Sequence, residues 1–175
     1  MRLSKSKELD EIVVATSEND ENDKLVRHVK SLGFKCTQGS EKDVLNRFYE
    51  SAKSLDANII VRITGDCPLA DPDIVDKCVT RFKALNVDYF SNISPASYPD
   101  GLDTEVFSFE TLEQANNSAF STYDREHVTT FIRNSDLFSK DVLQNEIDYS
   151  NLRWSLDESE DLEVITKVFN HFAPD

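Results

Sequence analysis

The chain has 175 residues, 39% hydrophobic and 30% charged, enough for one domain with a sizeable core and ordinary for a soluble globular protein. Its 33 acidic against 19 basic side chains leave a net charge of -14, which repels phosphate backbones and argues against general nucleic-acid binding. No apolar run approaches the ~20 residues of a membrane span, and "MRLSKSKELDEIVVAT" lacks the apolar core of a signal peptide, so the cytoplasm is the expected compartment.

The pattern along the chain alternates strand and helix. "EIVVAT" (11–16) is a short β-branched run, expected as a strand buried on both faces. Leu25, Val26, Val29 and Leu32 follow at helical spacing, with Gly33 as the closing cap. "FKCT" (34–37) reads as a second strand, and Gly39-Ser40 turns into a helix carrying Val44, Leu45, Phe48, Tyr49, Ala52 and Leu55 on one face. "NIIVRIT" (58–64) is the clearest strand, with Arg62 expected to pack its stem and reach a carboxylate with its head. The next helix has Asp71 as N-cap and Pro72 at its first position, and "VDYFS" follows as a strand. This is β-α-β-α-β-α-β, the signature of a mostly parallel sheet with helices on both faces.

The second half is less regular. "SPASYPDGLD" (94–103) is a long loop of the kind that carries function. "TEVFSF" alternates like a strand, while "FETLEQANNSA" and "YDREHVTTFIRN" each read as one helix. "LRWSLD" (152–157) reads as a strand with Trp154 in the core, and "ESEDLEVITKVFNHF" as a last helix with Leu162, Ile165 and Phe169 on one stripe. Cys36, Cys67 and Cys78 form no CxxC pair and are odd in number, as expected of reduced thiols.

In an open parallel sheet, ligands collect at the carboxyl ends of the strands. Asp66 follows "NIIVRIT" and Asp157 follows "LRWSL", while Gly65 permits a tight turn and close approach of a ligand. Two hard carboxylates converging there suit Mg²⁺, which takes one or two protein carboxylates and leaves its other positions to water and phosphates. The same residues also fit a simpler arrangement: Asp66 bonded within its own turn and Asp157 capping the last helix. Spacing alone leaves both open.

"RITGDCPLADPDIVD" resembles the G-D-x-P-L segment of the cytidylyltransferases that activate acidic sugars, in particular the type of spore coat polysaccharide biosynthesis protein F. "DEIVVATS", "GSEKDVLNRFYESAK", "YPDGLDTEVFSFETLE", "REHVTTFIRN" and "LRWSLDESEDLEVI" resemble the same group, in the same order, over nearly the whole chain. The resemblance implies a Rossmann-like α/β nucleotidyltransferase fold for a single domain spanning residues 1–175, and transfer of CMP from CTP to a sugar or sugar acid with release of pyrophosphate. It implies Asp66 and Asp157 as the catalytic Mg²⁺ ligands, and Gly39, Ser40, Asp43 and Gly65 around the nucleotide. Tyr98, Asp100, Asp103 and Glu105 are candidates for sugar hydroxyls, and Arg125 and His127 for a carboxylate or phosphate. A homodimer is a further expectation.

Members of that family open with a strand and a loop of the form Q-A-R-x-G-S-x-R-L-P-x-K that grips the triphosphate. "RLSKSKEL" offers Arg2, Lys5 and Lys7 but no glycine turn. The chain is therefore expected to be a truncated member lacking the first strand, so that "EIVVAT" and "NIIVRIT" either face a gap or pair with each other. Two further readings stand beside this one. One is a non-catalytic remnant serving as a binding module; the other is a metal-dependent glycosyltransferase, although Gly65-Asp66-Cys67-Pro68 is not the D-x-D triplet usual there.

Overall fold

The computed structural model describes residues 2–172. Two sheets form. Strands β1 (Val13–Ser17) and β2 (Lys35–Gly39) pair in parallel, from Val13 opposite Lys35 to Ser17 opposite Gly39. The other sheet holds β3 (Ile59–Arg62), β4 (Tyr89–Ser91), β5 (Glu105–Ser108) and β6 (Lys140–Val142) in the order β3-β5-β4-β6. β5 runs antiparallel to both neighbours and β4 runs parallel to β6, so β3, β4 and β6 share one direction and β5 alone reverses.

The α/β alternation read from the sequence is present. Helix α1 (Asp23–Ser31) ends on Gly33, whose φ of +85° is the left-handed conformation that glycine adopts without strain. Asp43 caps α2 (Val44–Ser54) by accepting the Asn46 N–H at 3.0 Å. Asp71 caps α3 (Pro72–Leu85) by accepting the Asp73 N–H at 2.8 Å, with Pro72 at the first position where no N–H is needed. Ser108 and Ser121 cap α4 (Phe109–Ser118) and α5 (Thr122–His127) in the same manner.

Side chains alternate across the main sheet. Ile60, Tyr89 and Phe107 pack with α2, α4 and Ile132 on one face, whereas Val61, Phe90 and Val106 pack with α3 and Ile165 on the other. Burying both faces of the sheet in this way supplies the main apolar stabilisation.

Of the two arrangements expected for the strands at 11–16 and 58–64, the unpaired one is found: among the described residues β1 bonds only β2, and β3 lies at the edge of the larger sheet. Other expectations are corrected. β1 is accordingly half-buried rather than covered on both faces. Residues 123–134 are two helices, α5 and α6 (Thr130–Asn134), because Val128 takes φ +59° between them. A β-branched residue pays a steric cost there, and Val128 is held by complete burial. "LRWSLD" makes only an isolated bridge between Arg153 and Asp100 and is no strand. Trp154 is 38% exposed and not in the core. β6 did not stand out in the sequence. The last helix, α7 (Ser159–Phe172), buries Ile165 but leaves Leu162 and Phe169 exposed. Among the described residues no helix is long and apolar enough to cross a membrane.

Candidate active site

Three segments meet at the carboxyl ends of β3 and β4. The turn after β3 carries Asp66, whose carbonyl accepts the Leu156 N–H at 2.8 Å. Asp100 donates its N–H to Leu152 at 3.0 Å and accepts that of Trp154 at 2.7 Å. These backbone bonds bring the stretch bearing Asp157 against the stretch bearing Asp66. Gly101 makes the approach possible: its φ is +99°, and a Cβ there would lie 2.5 Å from the Trp154 carbonyl carbon.

The two carboxylates are engaged differently. Among the described residues the Asp66 side chain has only a weak thiol contact from Cys67, at 3.9 Å. Asp157 accepts from Arg153 at 2.8 Å and from the Ser155 hydroxyl at 3.0 Å. Asp157 does not cap the last helix. Asp161, in the first turn of the helix, reaches back to accept the N–H groups of Asp157 and Glu158, each at 2.9 Å, and it also accepts from Arg153 at 2.8 Å. Asp66 and Asp157 are the donor type that Mg²⁺ takes, hard carboxylate oxygens, and the segments that bear them adjoin through the Leu156–Asp66 bond. Among the described residues no cluster of three or more His, Cys, Asp or Glu would hold an ion unaided. A cation here would complete its shell with water and phosphate oxygens.

Beside this junction lies a cavity of about 170 Å³, lined by Arg62, Thr64, Asp103, Glu105, His127 and Arg133, among others. Its floor follows from strand register. Arg62 on β3 stands directly opposite Glu105 on β5, and the two form a buried ion pair. The other Glu105 oxygen accepts from Tyr89 and from Thr129, both at 2.6 Å. Burial first, then the Glu105 charge and hydrogen bond, raise the Tyr89 phenol well above its usual range, keeping it a donor. The Nε atoms of Arg62 and Arg133 are buried with no hydrogen-bond partner among the described residues. Tyr123 and His127, both exposed and both lining the cavity, meet one helical turn apart with their rings tilted by 59° and their centres 4.3 Å apart.

The sequence-predicted residues divide into those at the cavity and those elsewhere. Asp103, Glu105 and His127 line it. Glu105 is nevertheless almost wholly buried and occupied by protein partners, so it holds the wall together and has no oxygen free for a sugar hydroxyl. Arg125 is elsewhere: it grips Asp43 with a fork of two bonds at 2.8 and 2.7 Å, and donates to the Asn116 carbonyl and amide oxygens. Burial pushes the Asp43 carboxyl up, but the Arg125 and Asn46 hydrogen bonds outweigh it and the net shift is downward. Gly39 and Ser40 border the same loop: a Cβ on Gly39 would lie 3.1 Å from Arg47 Cγ, and the Ser40 hydroxyl accepts the Asp43 N–H at 3.0 Å. Tyr98 packs against the core cluster beside α3, away from the cavity lining. Asp100 is exposed and contributes its backbone.

Thr129, Arg133 and Asn92 escaped the sequence reading. Their significance depends on which strands and helix ends meet, and only Tyr123, four residues before His127 on one helix, left a local signal.

The family model described as cytidylyltransferase matches residues 1–168. The chain belongs to the cytidylyltransferase family. It is 40% identical over 174 residues to an uncharacterized protein of Methanocaldococcus jannaschii, covering 98% of this chain and 70% of that protein. It is 30% identical over 167 residues to the spore coat polysaccharide biosynthesis protein SpsF of Bacillus subtilis, covering 93% of this chain and 68% of the relative. A 3-deoxy-manno-octulosonate cytidylyltransferase of Chlorobium limicola is 31% identical over 140 residues, 73% of this chain and 56% of the relative. The solved structure of a cytidylyltransferase from Leptospira borgpetersenii superposes with a TM-score of 0.93 at 32% identity, over 98% of this chain and 73% of that one. These likenesses agree with the Rossmann-like nucleotidyltransferase fold expected from the sequence.

Proposed function

We propose that this cytidylyltransferase-family chain carries the machinery for transferring CMP from CTP to a hydroxyl of a sugar or sugar acid, with Mg²⁺ held by Asp66 and Asp157, in the synthesis of a surface polysaccharide. The observation that carries the reading is the backbone bond from Leu156 to Asp66, which gathers both aspartates at one rim beside a polar cavity. When bound, Mg²⁺ neutralises the triphosphate and polarises the phosphorus under attack. The chain's own residues do the rest. Gly39, Ser40 and Asp43 border the nucleotide base, Gly65 lets the triphosphate approach the backbone, and Arg125 holds the Asp43 loop rigid. Arg62, fixed by Glu105, and Arg133 give the cavity positive walls, while Thr64 and His127 offer hydrogen bonds to the acceptor.

The test is pyrophosphate release and CMP-sugar formation from CTP, Mg²⁺ and a panel of sugars and sugar acids that includes 3-deoxy-manno-octulosonate. CTP-dependent turnover is expected, with loss of at least about 100-fold in Asp66→Ala and in Asp157→Ala. Unchanged turnover in both variants removes the metal assignment. UDP-sugar consumption in place of CTP consumption points to a glycosyltransferase. CTP binding without turnover on any acceptor points to a binding module.

A further inference from the structure

Asp103 is held by its neighbours while its own carboxylate stays free. Asn92, buried at the end of β4, donates to the Leu102 carbonyl at 2.8 Å and accepts the Thr104 N–H at 2.8 Å, so one side chain clamps the main chain on both sides of Asp103. Gly101, wedged against the backbone of Trp154 and Ser155, fixes the approach to that clamp. With the backbone pinned, Asp103 lines the cavity together with Arg62, Thr64 and Glu105. Among the described residues nothing hydrogen-bonds its oxygens, and only burial and neighbouring charges act on it. Its oxygens are not among the buried unpaired atoms, so a molecule entering the cavity can reach them.

We propose that Asp103 is the general base of the transfer. This rests on the cytidylyl-transfer reading above. The acceptor hydroxyl enters the cavity and its oxygen lone pair forms the new bond to the α-phosphorus. Its proton passes to an Asp103 oxygen, and the bond from the α-phosphorus to pyrophosphate breaks with its electron pair leaving on pyrophosphate. Glu105 cannot take this part, because both its oxygens are already held by Arg62, Tyr89 and Thr129. His127 is exposed, with its ring tilted against that of Tyr123.

The electrostatics suit the task. Burial first, then the charges of Asp100, Glu105 and Asp66, push the Asp103 carboxyl up to about 6, while Arg62 pulls it down. Arg133 from α6 and Tyr123 and His127 from α5 are the other charged or titratable groups lining the cavity. The carboxylate is thus ionised at neutral pH yet basic enough to accept a proton.

The experiment follows pyrophosphate release between pH 4.5 and 9 in the wild type, Asp103→Asn, Asp103→Glu and His127→Gln, and measures Mg²⁺-dependent CTP binding in each by calorimetry. Asp103→Asn should lower kcat by about 100-fold or more, lose the acid-side inflection near pH 6 and keep its affinity for CTP within about threefold. Asp103→Glu should recover part of the rate, and His127→Gln should keep the inflection. Wild-type kcat and inflection in Asp103→Asn, alongside a dead Asp66→Ala, overturn this assignment and leave the proposed function standing. Loss of Mg²⁺-dependent CTP binding in Asp103→Asn makes the residue a metal ligand and also overturns it. A carbon-13 titration of Asp103 in the wild type, which needs no turnover, overturns it if the carboxyl titrates near 4. A wild type that releases no pyrophosphate removes the proposed function and this assignment with it.

Discussion

The backbone N–H of Leu156 reaches the carbonyl oxygen of Asp66 at 2.8 Å, joining two loops that lie far apart in the chain. Arg153 belongs to the same junction, and its guanidinium occupies Asp157 and Asp161 together. The charges of Asp161 and Asp157 and the Asp157 hydrogen bond raise its pKa further, so it remains a fixed cation. A divalent ion at Asp157 competes with it. Arg153→Ala should therefore tighten Mg²⁺ binding, by a modest factor because the guanidinium is exposed and screened. Calorimetric titration with MgCl₂ alone measures this, and weaker binding in the variant would contradict a shared site.

The Glu105 carboxylate offers a stability test. Removing one partner of a buried ion pair strands the other, at a typical cost of about 3–5 kcal/mol. Glu105→Ala should fall in that range by urea unfolding, because Arg62 loses its countercharge and the Tyr89 and Thr129 hydroxyls lose their acceptor. Glu105→Gln keeps an acceptor for the hydroxyls and should cost less.

Asp103→Asn should stabilise the fold at neutral pH. The folded-state pKa is raised from 3.8 to about 6, so the ionised carboxylate destabilises the native state. That penalty is absent below about pH 4, grows between about 4 and 6 and is constant above. Solvent screens part of it, leaving an expected gain of about 1–2 kcal/mol at pH 7 that vanishes at pH 3.5. Urea midpoints at the two pH values check the sign, and with the predicted loss of kcat they would show stability traded for function.

Gly101→Ala should disturb both the fold and the rim. The new Cβ would meet the Trp154 backbone at 2.5 Å in a conformation already unfavourable for alanine. A loss of at least about 2 kcal/mol is expected, together with weaker Mg²⁺ binding as the Asp157 segment is pushed from Asp66. An unperturbed thermal midpoint would mean that this segment is not fixed by the contact.

At Arg125 geometry matters more than charge. Arg125→Lys cannot reproduce the fork on Asp43 or the bonds to Asn116, and should cost about 1–3 kcal/mol, close to the cost of Arg125→Ala. Thermal unfolding of the two variants side by side tests this.

By itself the sequence determined where α1 ends, where α3 begins, and the family. Asp71-Pro72 and the Gly33 turn act through bonds spanning a few residues, so a local stretch of chain contains all the information that sets them. The segments around Gly65-Asp66 and "LRWSLDESEDLEVI" carried the kinship in the same way. Only the tertiary structure decided which strand lies beside which. β5 enters between β3 and β4 in reverse, and that single pairing sets Arg62 opposite Glu105 and brings Asp103 to the cavity. It also decided that Arg125 serves Asp43, and that Val128 breaks a helix whose pattern looked continuous. The reason is physical: capping and turn preferences are local, whereas strand pairing and the burial of a charge depend on partners distant in the chain, whose identity no short window of sequence contains.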